Sequence, residues 1–176
     1  LVQSTQKRDI KKGIRVTWLG RITDFKYYPL VRCLEDLNTL QPALDLPVSV
    51  ICVGEGDYEQ ALSESLKSLP NLSVHIVSHI EPDELPRFLL SNTDLLLGMG
   101  TSALEAARLG IPTLLLDASY GPLPPTYKYK FLYEQEGFTL ASVMLKKKAQ
   151  IGGVTLIELI QRLMHKFSDE SQKLSL

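Results

Sequence analysis

Two basic residues follow a short apolar segment near the start of the chain. The segment at 14–19 is rich in β-branched and aromatic residues and leads into Gly20-Arg21-Ile22, with Lys26 five positions beyond Arg21. An arginine fork and a lysine ammonium in one loop match the charge of a diphosphate. Solvated loop cations are the alternative, since most lysines and arginines lie exposed. The pair therefore predicts phosphate binding by Arg21 and Lys26 if the fold places them at a ligand site.

A second segment combines glycines with the start of a helix. The apolar run at 94–97 leads into Gly98-Met99-Gly100-Thr101-Ser102, and a short helical pattern then ends at Gly110-Ile111-Pro112. Glycines admit close approach and helix-start amides attract anions, so Gly100, Thr101 and Ser102 are predicted to bind phosphate. Ser102 and Glu105 also fit a capping box, in which their own side chains would satisfy these amides. The residues alone leave both interpretations open.

Two further loops follow apolar runs. Gly54-Glu55-Gly56 closes the run at 48–53 and forms either a tight turn or a turn that leaves room for a ligand at Gly54. It is too short for the Gly-x-Gly-x-x-Gly dinucleotide fingerprint. Ser78-His79-Ile80 follows the run at 72–77, and its His79 is a candidate ligand contact or a solvated histidine.

All four loops lie between a predicted strand and a predicted helix. Strands are expected at 14–19, 48–53, 72–77, 95–97, 112–116 and 138–143, and helices at 28–40, 58–69, 82–90, 102–109, 131–136 and 154–167. Pro29 suits the first turn of its helix. This alternation predicts an α/β fold with an open parallel sheet of about six strands and helices on both faces. The carboxyl ends of parallel strands share one edge, where ligands bind in such sheets.

Length and composition restrict the remaining classes. The 176 residues, 44% hydrophobic and 22% charged, suit one domain, predicted at 13–167 between a polar lead-in at 1–12 and a polar tail at 168–176. A net charge of −1 gives no reason to expect a nucleic-acid partner. The two cysteines, Cys33 and Cys52, fit buried positions in a reducing compartment. No apolar run is long enough to span a membrane.

The combined motifs resemble those of the C-terminal, donor-binding domain of GT-B glycosyltransferases, over about residues 15–117. Gly20-Arg21-Ile22 with Lys26 resembles that family's Gly-Arg-Leu-x-x-x-Lys, whose cations hold the diphosphate of a nucleotide sugar. Val53-Gly54-Glu55-Gly56 resembles its Gly-x-Gly strand end. Residues 104–112, Leu-Glu-Ala-Ala-Arg-Leu-Gly-Ile-Pro, resemble its Leu-Glu-Ala-Met-Ala-x-Gly-x-Pro. The position that holds a second glutamate in many retaining members is Leu97 here.

This resemblance implies a Rossmann-like fold and the donor half of a glycosyltransferase whose substrate is a nucleotide-diphosphate sugar. It implies that Arg21 and Lys26 grip the diphosphate, that Glu105 contacts the ribose and that His79 lies near the base. It also implies an N-terminal, acceptor-binding half that this chain lacks, so no catalytic residue is predicted. The chain has no Asp-x-Asp, from which we expect metal-independent binding without a cofactor. The expected location is the cytoplasm or the cytosolic face of a membrane.

Three other functions fit part of this pattern. Half of a two-domain nucleotide-sugar epimerase would share the architecture. A non-enzymatic nucleotide-sugar or phosphate-binding subunit would need only the loops. A flavodoxin-like domain would explain the alternation but not Arg21, Lys26 and Glu105 together. Short basic runs at 127–130 and 146–148 are a candidate contact with anionic lipid or a membrane-bound partner, although such runs are more often solvated.

Overall fold

The computed structural model describes residues 13–137, 139–144 and 153–173, with side chains as far as residue 165. Strands and helices alternate along it, in the order β1 (Ile14–Leu19), α1 (Asp24–Leu40), β2 (Val48–Val53), α2 (Glu59–Leu66), β3 (Ser73–Val77), α3 (Leu85–Asn92), β4 (Leu95–Gly98), α4 (Thr101–Arg108), β5 (Thr113–Leu115) and α5 (Leu156–Lys173). Two 3₁₀ turns lie at Gln41–Ala43 and Leu132–Glu134.

The strands form one parallel sheet in the order β3-β2-β1-β4-β5. β1 pairs with β2 from Ile14–Val48 to Leu19–Val53, and on its other side with β4, where Trp18 lies opposite Leu97. The chain builds outward from β1 to β3 and then crosses back to place β4 beside β1. Successive crossovers therefore diverge between β1 and β4, which is the switch point where open α/β sheets bind ligands.

Helices cover both faces of the sheet. Side chains of α1, α2 and α5 pack on one face with Leu95 and Leu97 of β4, whereas α3 and α4 pack on the other face with Leu96. Such continuous apolar strands are typical of parallel sheets that are buried on both sides. The predicted α/β class, parallel sheet and two helical layers are confirmed, and the architecture is Rossmann-like.

The described residues form five strands, one fewer than expected. In the segment predicted as the last strand, Phe138 lies outside the described residues and the rest forms only an isolated parallel bridge, between Ala118 and Val143. The Ala118 amide donates to the Ser142 carbonyl at 2.7 Å, and the Met144 amide donates to the Ala118 carbonyl at 2.8 Å. Ala118 lies beyond the end of β5, so these two hydrogen bonds do not continue the pairing of the sheet, and the segment is not a sixth strand.

α1 begins at Asp24, four residues before the predicted start, so Pro29 lies inside the helix and the first-turn prediction is wrong. Proline has no N–H, so the Phe25 carbonyl lacks the donor that would normally bond to it from four residues further along the helix. The Ser119 amide donates to that carbonyl instead, at 2.9 Å. The loop after β5 is thereby attached to the first turn of α1.

The remaining predicted boundaries differ by at most three residues, except that α5 continues to Lys173. Its last residues include Glu, Gln and Lys, which have good helix propensity. Cys33 and Cys52 are free and buried as predicted, and burial raises the pKa of each thiol to about 12. None of the helices among the described residues is both long and apolar enough to cross a bilayer.

The chain leaving β1 lies against the chain leaving β2. The Gly20 amide donates to the Val53 carbonyl and the Ile22 amide to the Glu55 carbonyl, each at 3.0 Å. A Cβ on Gly54 would stand 2.2 Å from the Gly20 carbonyl oxygen, and Gly54 has a φ of +135°. The absence of a side chain at Gly54 therefore lets the two loops pair.

Gly54→Ala should lower the free energy of unfolding by about 2–5 kcal/mol, because the methyl group meets backbone atoms at a φ that disfavours alanine. Chemical denaturation would measure the loss. Gly121→Ala is the matched control, since a Cβ there meets nothing within 4 Å. Equal stability of the two variants would show that the loops do not depend on this contact.

Candidate functional site

Arg21 and Lys26 lie on either side of the start of α1. Arg21 follows β1, and its side chain is exposed. Its backbone is fixed by the hydrogen bonds of Gly20 and Ile22 to the β2 exit loop. Lys26 lies in the first turn of α1 and folds back over the strand end, so that its Nζ is 3.4 Å from where a Cβ of Gly20 would stand.

These two cations stand close enough together to interact. Burial and, second, the Arg21 guanidinium lower the pKa of Lys26. In the part of the chain that the structure describes, neither residue forms an ion pair. The Lys26 Nζ lies 5.8 Å from the centroid of the Phe25 ring. Adjacent positive charges with no carboxylate partner create a local potential that favours a bound anion.

The N-terminus of α4 is not capped by a side chain of the described residues. The predicted capping box does not form: the Ser102 hydroxyl donates to the Met99 carbonyl at 2.9 Å, and Glu105 pairs with Arg108 at 2.9 Å. The helix begins one residue earlier than predicted, because Gly100, with φ +64°, takes the N-cap position and moves Ser102 inside the first turn. The first-turn amides at Thr101 and Ser102 have no partner within the helix.

The sheet order places this helix start and the two cations after neighbouring strands, at the same edge of the sheet. Trp18 pairs with Leu97, so the chains leave β1 and β4 side by side, one strand spacing of about 4.8 Å apart. Gly20 and Arg21 thus border one side of the switch point, and Met99 and Gly100 border the other. The Gly100 amide is already used, because it donates to the Leu140 carbonyl at 3.0 Å.

Glu105 and His79 lie further from this centre. Glu105 is on α4, with 46% of its side chain exposed, and its pair with Arg108 is a surface pair that contributes little stability and can exchange partners. His79 follows β3 and is 64% exposed, 3.4 Å from Glu81. Since β3 lies two strands from β1, the chain leaving β3 at His79 is about 10 Å from the chain leaving β1. The ligand roles of both residues stay predictions.

Gly54 has a structural role that the sequence left open. Its amide donates to the Val77 carbonyl at 2.9 Å, and the Gly20 carbonyl occupies the space where its side chain would be. The amide is therefore not available to a phosphate. Whether a ligand also contacts the α-carbon of Gly54 stays a prediction.

Sequence analysis did not identify three residues that lie near this edge of the sheet. Thr23, the N-cap residue of α1, does not cap the helix with its side chain, and its Oγ1 is buried without a hydrogen-bond partner among the described residues. Asp117 is buried after β5 and accepts hydrogen bonds from the Ser142 amide and the Tyr127 hydroxyl. Tyr120 is 68% exposed and packs on Phe25. Of the three, only Asp117 could have been identified from the sequence, because it directly follows a predicted strand.

The described residues contain no group of three or more His, Cys, Asp or Glu side chains arranged to hold a metal ion. Metal-independent ligand binding stays a prediction.

Comparison with known proteins returns a solved structure but no sequence relative. No family profile and no curated protein matches the chain. The chain is similar to the apo form of the lipopolysaccharide outer core galactosyltransferase WaaB, with 14% identity and a TM-score of 0.49. The match covers 70% of this chain and 36% of that chain, so it spans well under two thirds of the galactosyltransferase.

Arg21→Ala should raise the pKa of Lys26, because it removes the neighbouring positive charge that disfavours the ammonium. The pKa should stay below 10.5, since burial of Lys26, the larger cause, is unchanged. NMR titration of the lysine side-chain signals would measure the shift. Arg87→Ala, which removes an exposed arginine on α3, should leave the Lys26 signal unaffected. An unchanged pKa in Arg21→Ala would show that the two cations do not interact.

Proposed function

We propose that this chain is the donor-binding part of a glycosyltransferase that uses a nucleotide-diphosphate sugar. The observation that carries the proposal is the pair Arg21 and Lys26, two adjacent cations without a carboxylate partner in the described residues, at the switch point of a parallel sheet. In this proposal their ligand is the diphosphate, with Arg21 as a bidentate donor and Lys26 as a point charge.

The start of α4 supports the same assignment from the other side of the switch point. The amides at Thr101 and Ser102 are not taken by a side-chain cap, and the positive end of the helix dipole favours a phosphate. The start of α4 would then contact the diphosphate from one side, and the Arg21 and Lys26 side chains from the other. We assign the ribose to Glu105 and the neighbourhood of the base to His79, following the resemblance of the sequence motifs.

Glycosyl transfer makes a specific demand on such a site. The bond between the anomeric carbon and the β-phosphate oxygen breaks, and the nucleoside diphosphate leaves with the electron pair. The acceptor hydroxyl oxygen forms the new bond to the anomeric carbon and loses its proton. Arg21, Lys26 and the α4 amides would stabilise the negative charge that develops on the leaving group, which is the usual function of preorganised donors.

The site as described contains groups for the donor and no group that we assign to the acceptor. We therefore propose that a second unit, outside these residues, binds the acceptor and holds any catalytic base. We further propose that donor binding needs no metal ion, since the two cations and the helix start supply positive charge, and that the protein acts in the cytoplasm or at the cytosolic face of a membrane.

The double variant Arg21→Ala/Lys26→Ala should weaken nucleotide binding by about 100-fold or more, because hydrogen bonds to charged groups each contribute about 1.5–3 kcal/mol. Calorimetric titration with UDP, GDP and ADP, in Mg²⁺ and in EDTA, would measure the affinities. The wild-type chain should bind one of the three saturably and equally well in both conditions.

Lys67→Ala/Arg87→Ala is the charge-matched control and should bind like the wild type, because both residues are exposed, Lys67 directly after α2 and Arg87 on α3. Inorganic phosphate is the second control. Binding of no nucleotide, or equal loss in both double variants, would contradict the proposal. Equal affinity for phosphate and all three nucleotides would favour a general phosphate-binding subunit.

Nucleotide affinity should fall as the pH rises through the Lys26 pKa of the free protein. That pKa is lowered by burial and by Arg21, whereas a bound diphosphate would raise it, so binding above it requires proton uptake. Below it Lys26 is already charged and the affinity should be constant. Lys26→Arg should abolish this pH dependence because a guanidinium stays protonated. Affinities measured between about pH 7 and pH 10 test this, and an equal slope in both proteins would exclude Lys26 as its source.

A further inference from the structure

An exposed aromatic side chain packs on a ring that neighbours one of the two cations. Tyr120 is 68% exposed, and its ring centroid lies 6.0 Å from that of Phe25, at an angle of 48°. The Phe25 ring is in turn 5.8 Å from the Lys26 Nζ. Single exposed aromatic residues are ordinary on a protein surface. This one is different in that only one ring separates it from an ammonium that forms no ion pair with a described residue.

The turn that carries Tyr120 is attached to α1 through Ser119 and is closed by a hydrogen bond of its own. The Ser119 amide donates to the Phe25 carbonyl at 2.9 Å, which is the acceptor that Pro29 leaves free. The Ser119 hydroxyl donates to the Gly121 carbonyl at 2.7 Å and closes the turn. An aromatic ring is thus presented to solvent from a backbone that is attached to α1, the helix that carries Lys26. Fixing the backbone in advance reduces the entropy lost when the ring contacts a ligand.

We infer that Tyr120 is a substrate-contacting residue that stacks on the transferred sugar of the nucleotide-diphosphate donor. The inference rests on the proposed function of Arg21 and Lys26. The sugar is attached directly to the β-phosphate, so it lies beside whatever residue adjoins the phosphate-binding cation. The apolar C–H face of a pyranose fits an aromatic ring, and the Tyr120 hydroxyl can hydrogen-bond to a sugar hydroxyl at the ring edge. The base is separated from the diphosphate by the ribose and lies further away.

Comparing a nucleoside diphosphate with its sugar conjugate isolates this contact. We would titrate the full chain with UDP and UDP-glucose, GDP and GDP-mannose, and ADP and ADP-glucose. For the pair that binds, Tyr120→Ala should weaken the sugar nucleotide about threefold to tenfold and leave the nucleoside diphosphate unchanged. Tyr120→Phe should retain most of the affinity, since it keeps the ring. Because Tyr120 is exposed, its replacement should not impair folding.

Tyr133→Ala is the matched control. Tyr133 is 70% exposed and also packs on a phenylalanine, Phe131, but it lies on the 3₁₀ turn at Leu132–Glu134. The Tyr133→Ala variant should bind the nucleoside diphosphate and its sugar conjugate with wild-type affinity.

The outcomes separate this inference from the proposed function. Equal weakening of the nucleoside diphosphate and its sugar conjugate by Tyr120→Ala would place Tyr120 on the nucleotide and overturn the inference, while leaving the donor site intact. No change for either ligand would also overturn it. Binding of no member of any pair to the wild-type chain would overturn the proposed function and this inference with it.

Discussion

The backbone of residues 20–22 is hydrogen-bonded to that of residues 53–55, and the candidate site depends on this pairing. It extends the β1–β2 register beyond the sheet, so that Arg21 leaves β1 on a fixed path and not on a free loop. The contact is close because Gly54 has no side chain to separate the two backbones. A loop with unpaired amides would lose these bonds and with them the position of its cation.

The same pairing holds like charges near each other. Arg21 stands close enough to Lys26 to lower the pKa of the ammonium, and burial lowers it further. No carboxylate among the described residues relieves this repulsion by an ion pair. Repulsion between the Arg21 and Lys26 charges lowers the stability of the fold, and a bound polyanion would offset this repulsion. Local instability of this kind is common where a protein is arranged for a ligand.

Most of the fold could be predicted from the sequence, because buried parallel strands must be continuous apolar runs and 48–53 is one. Two helix starts were predicted wrongly, those of α1 at Pro29 and of α4 at Ser102. Both predictions used local preferences alone, whereas a tertiary contact and a neighbouring glycine determine where these helices begin. Gly100 took the N-cap position, and the Ser119 amide made an interior proline tolerable. Tyr120 could not be predicted, since its neighbour Phe25 is remote in the chain and no local pattern records the contact.

Pro29 has a consequence for how this edge of the molecule moves. An ordinary helix keeps all its interior hydrogen bonds to itself and can fray one turn at a time. Here one acceptor of the first turn of α1 is bonded to a loop that follows β5, and that loop is hydrogen-bonded in turn to Ser142 and Met144. The first turn of α1 cannot open without releasing the loop, so the two segments form one cooperative unit in local unfolding. The charged and aromatic groups that they carry would keep their spacing through such motions, or lose it together.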